Sequence, residues 1–201
     1  MGIKAIFVDF NGVLFLTTNG YSHFHDIYAK TMGIPGNVLE DYFRSDWDRK
    51  VNLGEVDSVS FWRNFLNEQG VSEDHFQEHF KLFYKLHTLN VPFLDFLKSH
   101  KNEKKIGLIS NYSDMLRPLL ENELKIADIF DDIVISSEVK LIKPDKAIYK
   151  LALERLHIKP EEAIFVDDLP ENTQTAAQLG MHTIQFQNNE QAISDIKQLI
   201  D

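Results

Sequence analysis

The chain has 201 residues, and none of them is cysteine. This absence excludes disulfide bonds, thiolate catalysis and metal sites built on cysteine, and it fits the cytoplasm. Long hydrophobic runs are missing too, so no segment reaches the about 20 apolar residues that cross a bilayer. Asp9 interrupts the first residues too early for a signal peptide. We therefore expect a cytoplasmic protein without a membrane partner.

Basic residues are scarce relative to acidic ones. There are 21 Lys and Arg against 31 Asp and Glu, and the formal net charge is −10. This net charge argues against a nucleic-acid partner, because binding a phosphate backbone requires a basic surface. A small phosphorylated ligand is not excluded, since a bound divalent cation can reverse the field of one cleft.

From residue 90 onward, short runs of Ile, Val, Leu and Phe alternate with segments that carry apolar residues at helical spacing. This alternation predicts an α/β fold with a parallel sheet, helices on both faces and right-handed crossovers. The run Ala5-Ile6-Phe7-Val8 supplies a further buried strand. The other predicted strands cover 105–110, 133–136, 163–168 and 183–186, and the predicted helices cover 91–99, 114–124, 145–156 and 171–179, before a terminal helix.

Residues 16–87 do not follow this alternation. Aromatic residues recur there at helical spacing, at Phe61 and Phe65 and again at Phe76, Phe80 and Phe83. Such spacing is typical of a helix core. We predict an all-helical insertion over 16–87, placed between the two parts of the core domain, 1–15 and 88–201.

Polar residues stand where buried strands end, which is where open parallel sheets bind ligands. They are Asp9, the pair Ser110 and Asn111, Lys143 before Pro144, and the pair Asp167 and Asp168. Taken singly, each is also explained by a helix cap or a turn. The adjacent carboxylates are harder to explain in that way, because they repel each other unless a cation holds them. Oxygen ligands without nearby histidine or cysteine favour Mg²⁺.

In their order along the chain, these motifs resemble those of the haloacid dehalogenase-like hydrolase superfamily, most of whose members are phosphatases. The resemblance covers essentially the whole chain and implies a Rossmann-like core with the helical insertion as a cap. It implies that Asp9 attacks phosphorus and forms an aspartyl-phosphate, a case of covalent catalysis. It also implies the phosphate-binding and metal-binding residues: Ser110, Asn111 and Lys143 for the phosphoryl group, and Asp9, the backbone carbonyl of Asn11 and at least one of Asp167 and Asp168 for Mg²⁺.

Within the superfamily, one branch is similar to this chain in further positions. They are the run 165–168 followed by Asn172, the tail 180–186, and the stretch Leu53-Gly54-Glu55-Val56. The branch contains the N-terminal phosphatase domain of soluble epoxide hydrolases and bacterial sugar-phosphate phosphatases. We expect a small phosphorylated metabolite, such as a sugar phosphate, as substrate.

Asn11 departs from the superfamily pattern, which usually has a catalytic acid/base Asp at this position. Asn cannot exchange a proton at neutral pH, so general acid–base help of typically ~10²–10⁴-fold is missing. Three explanations stay open. Asn11 is an engineered substitution that traps or inactivates the enzyme, it is natural in a phosphatase that uses an activated leaving group or another residue as proton source, or the protein binds a phosphorylated ligand without turnover. A 2-haloacid dehalogenase also lacks the acid/base Asp, but it needs no metal. Asn11 precedes Gly12, a pairing prone to deamidation, so some molecules are hypothesised to carry Asp at position 11.

The insertion also contains candidates for a proton donor, for a metal site and for substrate specificity. His23 and His25 follow the first turn, and a helical spacing of four separates His75 from His79. A polar surface is the simpler interpretation of both pairs. Four further residues are candidates for substrate specificity or for a surface ion-pair patch: Asp46, Trp47, Arg49 and Lys50.

Overall fold

The computed structural model describes residues 2–17, 33–72 and 85–200, with single positions at 27, 30, 31, 78, 81 and 82. Its centre is a parallel sheet of five strands in the order β5–β4–β1–β6–β7. The strands are β1 (Ala5–Val8), β4 (Lys105–Ser110), β5 (Asp132–Ile135), β6 (Ala163–Asp167) and β7 (His182–Gln185). The predicted α/β class and parallel sheet are confirmed, and strand bounds differ by at most one residue at either end.

Alternate residues of each strand serve the two faces of the sheet, because successive side chains of a strand point in opposite directions. Ile6 and Val8 of β1 pack on one face, and Ala5 and Phe7 pack on the other. Helices cover both faces, as in a doubly wound fold. The α-helices that follow residue 90 are α4 (Val91–His100), α5 (Leu116–Pro118), α6 (Ser136–Val139), α7 (Lys146–Leu156), α8 (Pro170–Gln178) and α9 (Asn189–Ile200).

The helix predicted over 114–124 is present at 116–123, but it is not α-helical throughout. The chain forms the short α5, which passes directly into a π-helical turn at Leu119–Glu123. In this turn the Leu124 N–H donates to Leu119 O at 2.8 Å, five residues back, instead of to the carbonyl four residues back that an α-helix uses. Single 3₁₀ turns at Ala127–Ile129 and Pro160–Glu162 lead into β5 and β6.

A two-stranded antiparallel ribbon connects the core to the helical insertion. Strand β2 (Phe15–Thr17) pairs with β3 (His87–Leu89), although 72 residues separate Leu16 from its partner Thr88. Asn90 stabilises the connection between ribbon and core. Its backbone N–H donates to Leu14 O at 2.8 Å, and its Nδ2 donates to Val13 O at 2.8 Å. The expected domain limits at 15/16 and 87/88 thus fall inside the ribbon, which the sequence did not predict.

Three helices are described within the insertion: α1 (Gly36–Tyr42), α2 (Asp46–Asn52) and α3 (Ser58–Glu68). We call residues 36–68 the helical segment. It has its own hydrophobic cluster, to which α3 contributes Phe61, Trp62 and Phe65, so the core role predicted for Phe61 and Phe65 is confirmed. The histidine pairs and the aromatic residues at 76, 80 and 83 lie outside the described residues. None of the helices in the described part of the chain combines the length and apolarity that a bilayer crossing requires.

Candidate active site

Asp9 lies at the carboxyl end of the central strand, where the strand order reverses between β4 and β6. This crevice is the usual ligand site of open α/β sheets. The backbone N–H of Asp9 donates to Val166 O at 2.9 Å, which holds Asp9 against β6. Its Oδ1 accepts from the N–H of Phe10 at 2.7 Å. The chain then turns sharply at Gly12, whose φ is +80°. A Cβ atom at this position would collide with the Asp168 carboxylate.

Lys143 is the cation at the centre of the site. Its Nζ lies 2.8 Å from Asp9 Oδ1 and 2.6 Å from Asp167 Oδ2, and its side chain is 1% exposed. Burial alone would lower the pKa of Lys143, but the two carboxylates raise it above its usual value. Lys143 is therefore a permanent positive charge next to Asp9.

Asn111 holds the main chain of Lys143. Its Nδ2 donates to Lys143 O at 2.9 Å, and the Lys143 N–H donates back to Asn111 Oδ1 at 2.8 Å. The amide of Asn111 is thus engaged in positioning Lys143. The phosphate contact predicted for this residue would then come from its backbone N–H group.

The two adjacent acids have different surroundings. Asp167 is fully buried and accepts hydrogen bonds from Lys143, from the Leu169 N–H at 2.9 Å and from Asn172 Nδ2 at 2.9 and 3.1 Å. Asp168 is half-buried, and its carboxylate accepts no side-chain hydrogen bond within the described residues. Burial, helped by the charge of Asp167, raises the pKa of Asp168 to about 6.

Asp9, Asp167 and Asp168 each bring one carboxylate oxygen to a common point, with these oxygens within 4.8 Å of one another. Burial, together with the charges of Asp167 and Asp168, raises the pKa of Asp9 to about 7 against the opposing effect of Lys143. Three acids face one ammonium group, so the site has a surplus of negative charge. A hard divalent cation with oxygen ligands fits this set of donors.

Close to Asp9 along the chain or on the neighbouring strand, two buried polar atoms lack a hydrogen-bond partner in the described structure. They are Ser110 Oγ, at the end of β4, and Asn11 Oδ1. Leaving a buried polar atom unpaired costs about 1–3 kcal/mol. Both atoms are therefore available to a bound ligand next to Asp9.

A cavity of about 150 Å³ opens from Asn11 toward the helical segment. The loop after β4 forms one wall, and α2, α3 and the residues that precede them form the other. Its lining consists of Asn11, Phe43, Asp48, Val51, Asn52, Ser58, Phe61, Trp62, Asn111, Tyr112, Ser113 and Met115.

The specificity candidates predicted on α2 do not line this cavity. Asp46, Arg49 and Lys50 are exposed, and Lys50 Nζ lies 5.2 Å from the ring centroid of Trp47. The opposite face of α2 faces the cavity, through Asp48 and Asn52. Sequence reasoning missed these two residues. The spacing of Asp48, Val51 and Asn52, with buried Val51 at its centre, could have identified the inward face.

Residues 3–180 match the family model of the haloacid dehalogenase-like hydrolases. The chain belongs to this family. The predicted superfamily is thereby confirmed, and the chain is a hydrolase of this type.

Curated relatives agree with the predicted branch. The chain is 32% identical over 87 residues to rat bifunctional epoxide hydrolase 2, which covers 43% of this chain and 16% of that protein. It is 28% identical over 191 residues to the phosphorylated carbohydrates phosphatase of Thermotoga maritima, which covers 90% of this chain and 84% of that protein. The chain therefore spans about a sixth of the first relative and most of the second.

A solved structure has the same fold. It is a haloacid dehalogenase family enzyme of Bacteroides thetaiotaomicron in complex with magnesium and inorganic phosphate, with a TM-score of 0.76 and 23% identity. The match covers 92% of this chain and 95% of that one.

Proposed function

We propose that the protein is a Mg²⁺-dependent phosphatase that hydrolyses a small phosphomonoester through an aspartyl-phosphate on Asp9. One observation carries this proposal: buried Lys143 bridges Asp9 and Asp167 beside a cluster of three carboxylates. A nucleophilic carboxylate can approach a phosphate dianion only where positive charge offsets the repulsion. The names of the Thermotoga relative and of the Bacteroides complex support this assignment.

The hydrogen bonds of Asp9 favour Oδ2 as the attacking atom. Both Lys143 and the Phe10 N–H contact Oδ1, and no described residue donates to Oδ2. Oδ2 would form a bond to phosphorus while the ester P–O bond breaks, and the departing alkoxide would take its proton from solvent. Water would then cleave the acyl phosphate, which releases inorganic phosphate and restores the Asp9 carboxylate.

The bound phosphoryl group would meet Ser110 Oγ, Lys143 Nζ and the backbone N–H of Asn111. Mg²⁺ would be held by Asp9, the carbonyl oxygen of Asn11 and Asp168, and it would offset the charge of the phosphoryl oxygens. Asp167 is the weaker candidate for a direct ligand, because Lys143, Asn172 and the Leu169 N–H already occupy its oxygens. Asp167 would instead fix Lys143.

The insertion 16–87 would act as a cap on a core made of 1–15 and 88–201. Contacts across this boundary support the assignment, since the Ser58 N–H donates to Asp114 Oδ1 at 3.0 Å and Lys140 Nζ donates to Gly54 O at 2.6 Å. The cap would cover the cavity beside Asn11 and would choose the substrate, for which a sugar phosphate is the proposed class. The cytoplasmic location stays a prediction.

The test is phosphate release from a panel of sugar phosphates, alkyl phosphates and p-nitrophenyl phosphate, with and without Mg²⁺. We expect turnover that needs Mg²⁺ and disappears in Asp9→Ala with the fold retained by circular dichroism. Activity in Asp9→Ala would contradict the mechanism. Halide release from 2-haloacids, or phosphate-ester binding without turnover, would contradict the phosphatase assignment and identify one of the alternatives.

A further inference from the structure

The cavity beside Asn11 has an unusual balance of charge. Among its described lining residues there is one carboxylate, that of Asp48, and no lysine, arginine or histidine. The other lining side chains are aromatic, aliphatic or neutral and polar. A ligand in this cavity therefore meets one carboxylate and neutral hydrogen-bonding groups, but no cation.

Asp48 is held by its neighbour one helical turn away. Asn52 Nδ2 donates to Asp48 Oδ2 at 2.9 Å, and no other hydrogen bond or ion pair of this carboxylate occurs within the described residues. Oδ1 is thus left without a donor from the protein. Burial raises the pKa of Asp48 to about 6, a sign that its charge lacks compensation.

Asn11 adds a second acceptor to the same cavity. Its Oδ1 is buried and has no partner in the described structure, and Asn11 is two residues from Asp9. The cavity is therefore placed where the alcohol part of a phosphate ester would lie when its phosphorus is at Asp9. Asn11 Oδ1, which is buried, and Asp48 Oδ1, which has no donor among the described residues, can each accept a hydrogen bond from a donor on that alcohol.

We infer that Asp48, oriented by Asn52, is the specificity residue for the leaving group, and that it selects alcohols with hydroxyl or ammonium donors and without a second anion. The inference rests on the proposed function, whose leaving group it assigns to this cavity. A donor on the substrate would complete the hydrogen bonds of Asp48. A carboxylate or second phosphate would meet an uncompensated negative charge, which acts as a repulsive element against anionic substrates.

The test compares kcat/KM for four phosphate esters with a three-carbon skeleton. n-Propyl phosphate has no donor, glycerol 3-phosphate has hydroxyls, 3-aminopropyl phosphate has an ammonium, and 3-phosphoglycerate has a carboxylate. We expect the parent protein to prefer the second and third esters to the first, and to use the fourth least. In Asp48→Asn, the preference for glycerol 3-phosphate and 3-aminopropyl phosphate over n-propyl phosphate should fall about 10- to 100-fold, and 3-phosphoglycerate should improve relative to the others.

Asp46→Asn is the matched control, because Asp46 is on the same helix but exposed and outside the cavity. It should leave all four kcat/KM values unchanged. Equal use of the four esters by the parent protein, or an unchanged order in Asp48→Asn, would overturn the inference while Mg²⁺-dependent turnover upholds the proposed function. An equal loss for all esters in Asp48→Asn would also overturn it and would indicate a proton-donating role. If no ester is hydrolysed by the parent protein, the proposed function fails and the inference fails with it.

Discussion

Asn11 shows how a single residue limits the chemistry of the site. Its backbone carbonyl can serve a metal, but its amide cannot give a proton to a departing alkoxide. A poor leaving group therefore depends on solvent for its proton, whereas a phenolate leaves without one. The identity of residue 11 should matter in proportion to the basicity of the leaving group.

Asn11→Asp should raise kcat/KM for alkyl phosphates by roughly 10²–10⁴-fold and change it little for p-nitrophenyl phosphate. This parameter reports the steps up to departure of the leaving group, which is where the proton is needed. Asn67→Asp, the same change on an exposed position of α3, is the control and should have no effect. An equal gain on both kinds of substrate would contradict this role.

The same residue bears on the integrity of the preparation. The Gly12 N–H donates to Phe15 O at 3.0 Å, so the nitrogen that would attack the Asn11 side chain in deamidation is engaged. The structure thus opposes the deamidation that the Asn-Gly pair suggests. Peptide mass spectrometry of the active protein should show Asn at position 11.

At the scale of elements, the sequence pattern predicted those strands and helices that depend on residues close together in the chain. Strand β4 has the predicted bounds, since the buried run 106–109 lies between Lys105 and the polar residues Ser110 and Asn111. Helix α7 begins after Asp145, whose side chain accepts the Ala147 N–H at 2.9 Å as a cap. The ribbon β2–β3 was missed because each strand has three residues and its partner is distant along the chain. No local pattern contains that information.

An element-level contact ties the start of β1 to the turn before β6. Glu162 Oε1 lies 2.7 Å from Lys4 Nζ, and its Oε2 accepts the Lys159 N–H at 3.2 Å. The Lys4 ammonium and this N–H hold the pKa of Glu162 below its usual value. A lowered pKa means that the carboxylate contributes stability above its unfolded pKa, and that this contribution is lost as pH falls through the folded pKa.

Glu162→Gln should therefore lower the urea midpoint at pH 7, and the difference from the parent protein should shrink as pH falls below about 4. Glu161→Gln is the control, since Glu161 is adjacent and exposed. Urea unfolding at several pH values gives the midpoint of each variant and of the parent protein. A difference that grows toward low pH would contradict the contact's role.

At the scale of the whole molecule, the site exists because the sheet brings together residues that are up to 159 positions apart. The sequence motifs predicted which residues meet at the strand ends, because parallel strands share one carboxyl edge. They did not predict which side chain hydrogen-bonds to which within the site. The pairing of Asn111 with the main chain of Lys143, and of Asn172 with Asp167, depends on loop geometry. The role of Asp48 depends on how the helical segment packs over the core, which no motif encodes.

The charge surplus at this edge predicts a coupling between metal and stability. Ligand at about 100 times its Kd adds about 2.7 kcal/mol to the free energy of unfolding, so Mg²⁺ should raise the Tm of the parent protein. Asp168→Asn should raise the Tm without Mg²⁺, because it removes a half-buried charge beside Asp167, and it should abolish the Mg²⁺-dependent rise. Scanning calorimetry measures the Tm of each protein with and without Mg²⁺. The control is Asp95→Asn, an exposed position that should keep the full Mg²⁺-dependent rise. A full Mg²⁺ response in Asp168→Asn would exclude that residue as a ligand.

The central claim is that Asp9 carries the phosphoryl group, and acid-quenched mass spectrometry tests it most directly. The protein is mixed with p-nitrophenyl phosphate and Mg²⁺, stopped within the first turnover and digested. Because Asn11 offers no base to activate water, the aspartyl-phosphate should accumulate after a burst of nitrophenol. We predict one added phosphoryl group on the peptide that contains Asp9, and none in Asp9→Asn. Steady turnover without this adduct, together with activity in Asp9→Asn, would contradict the account.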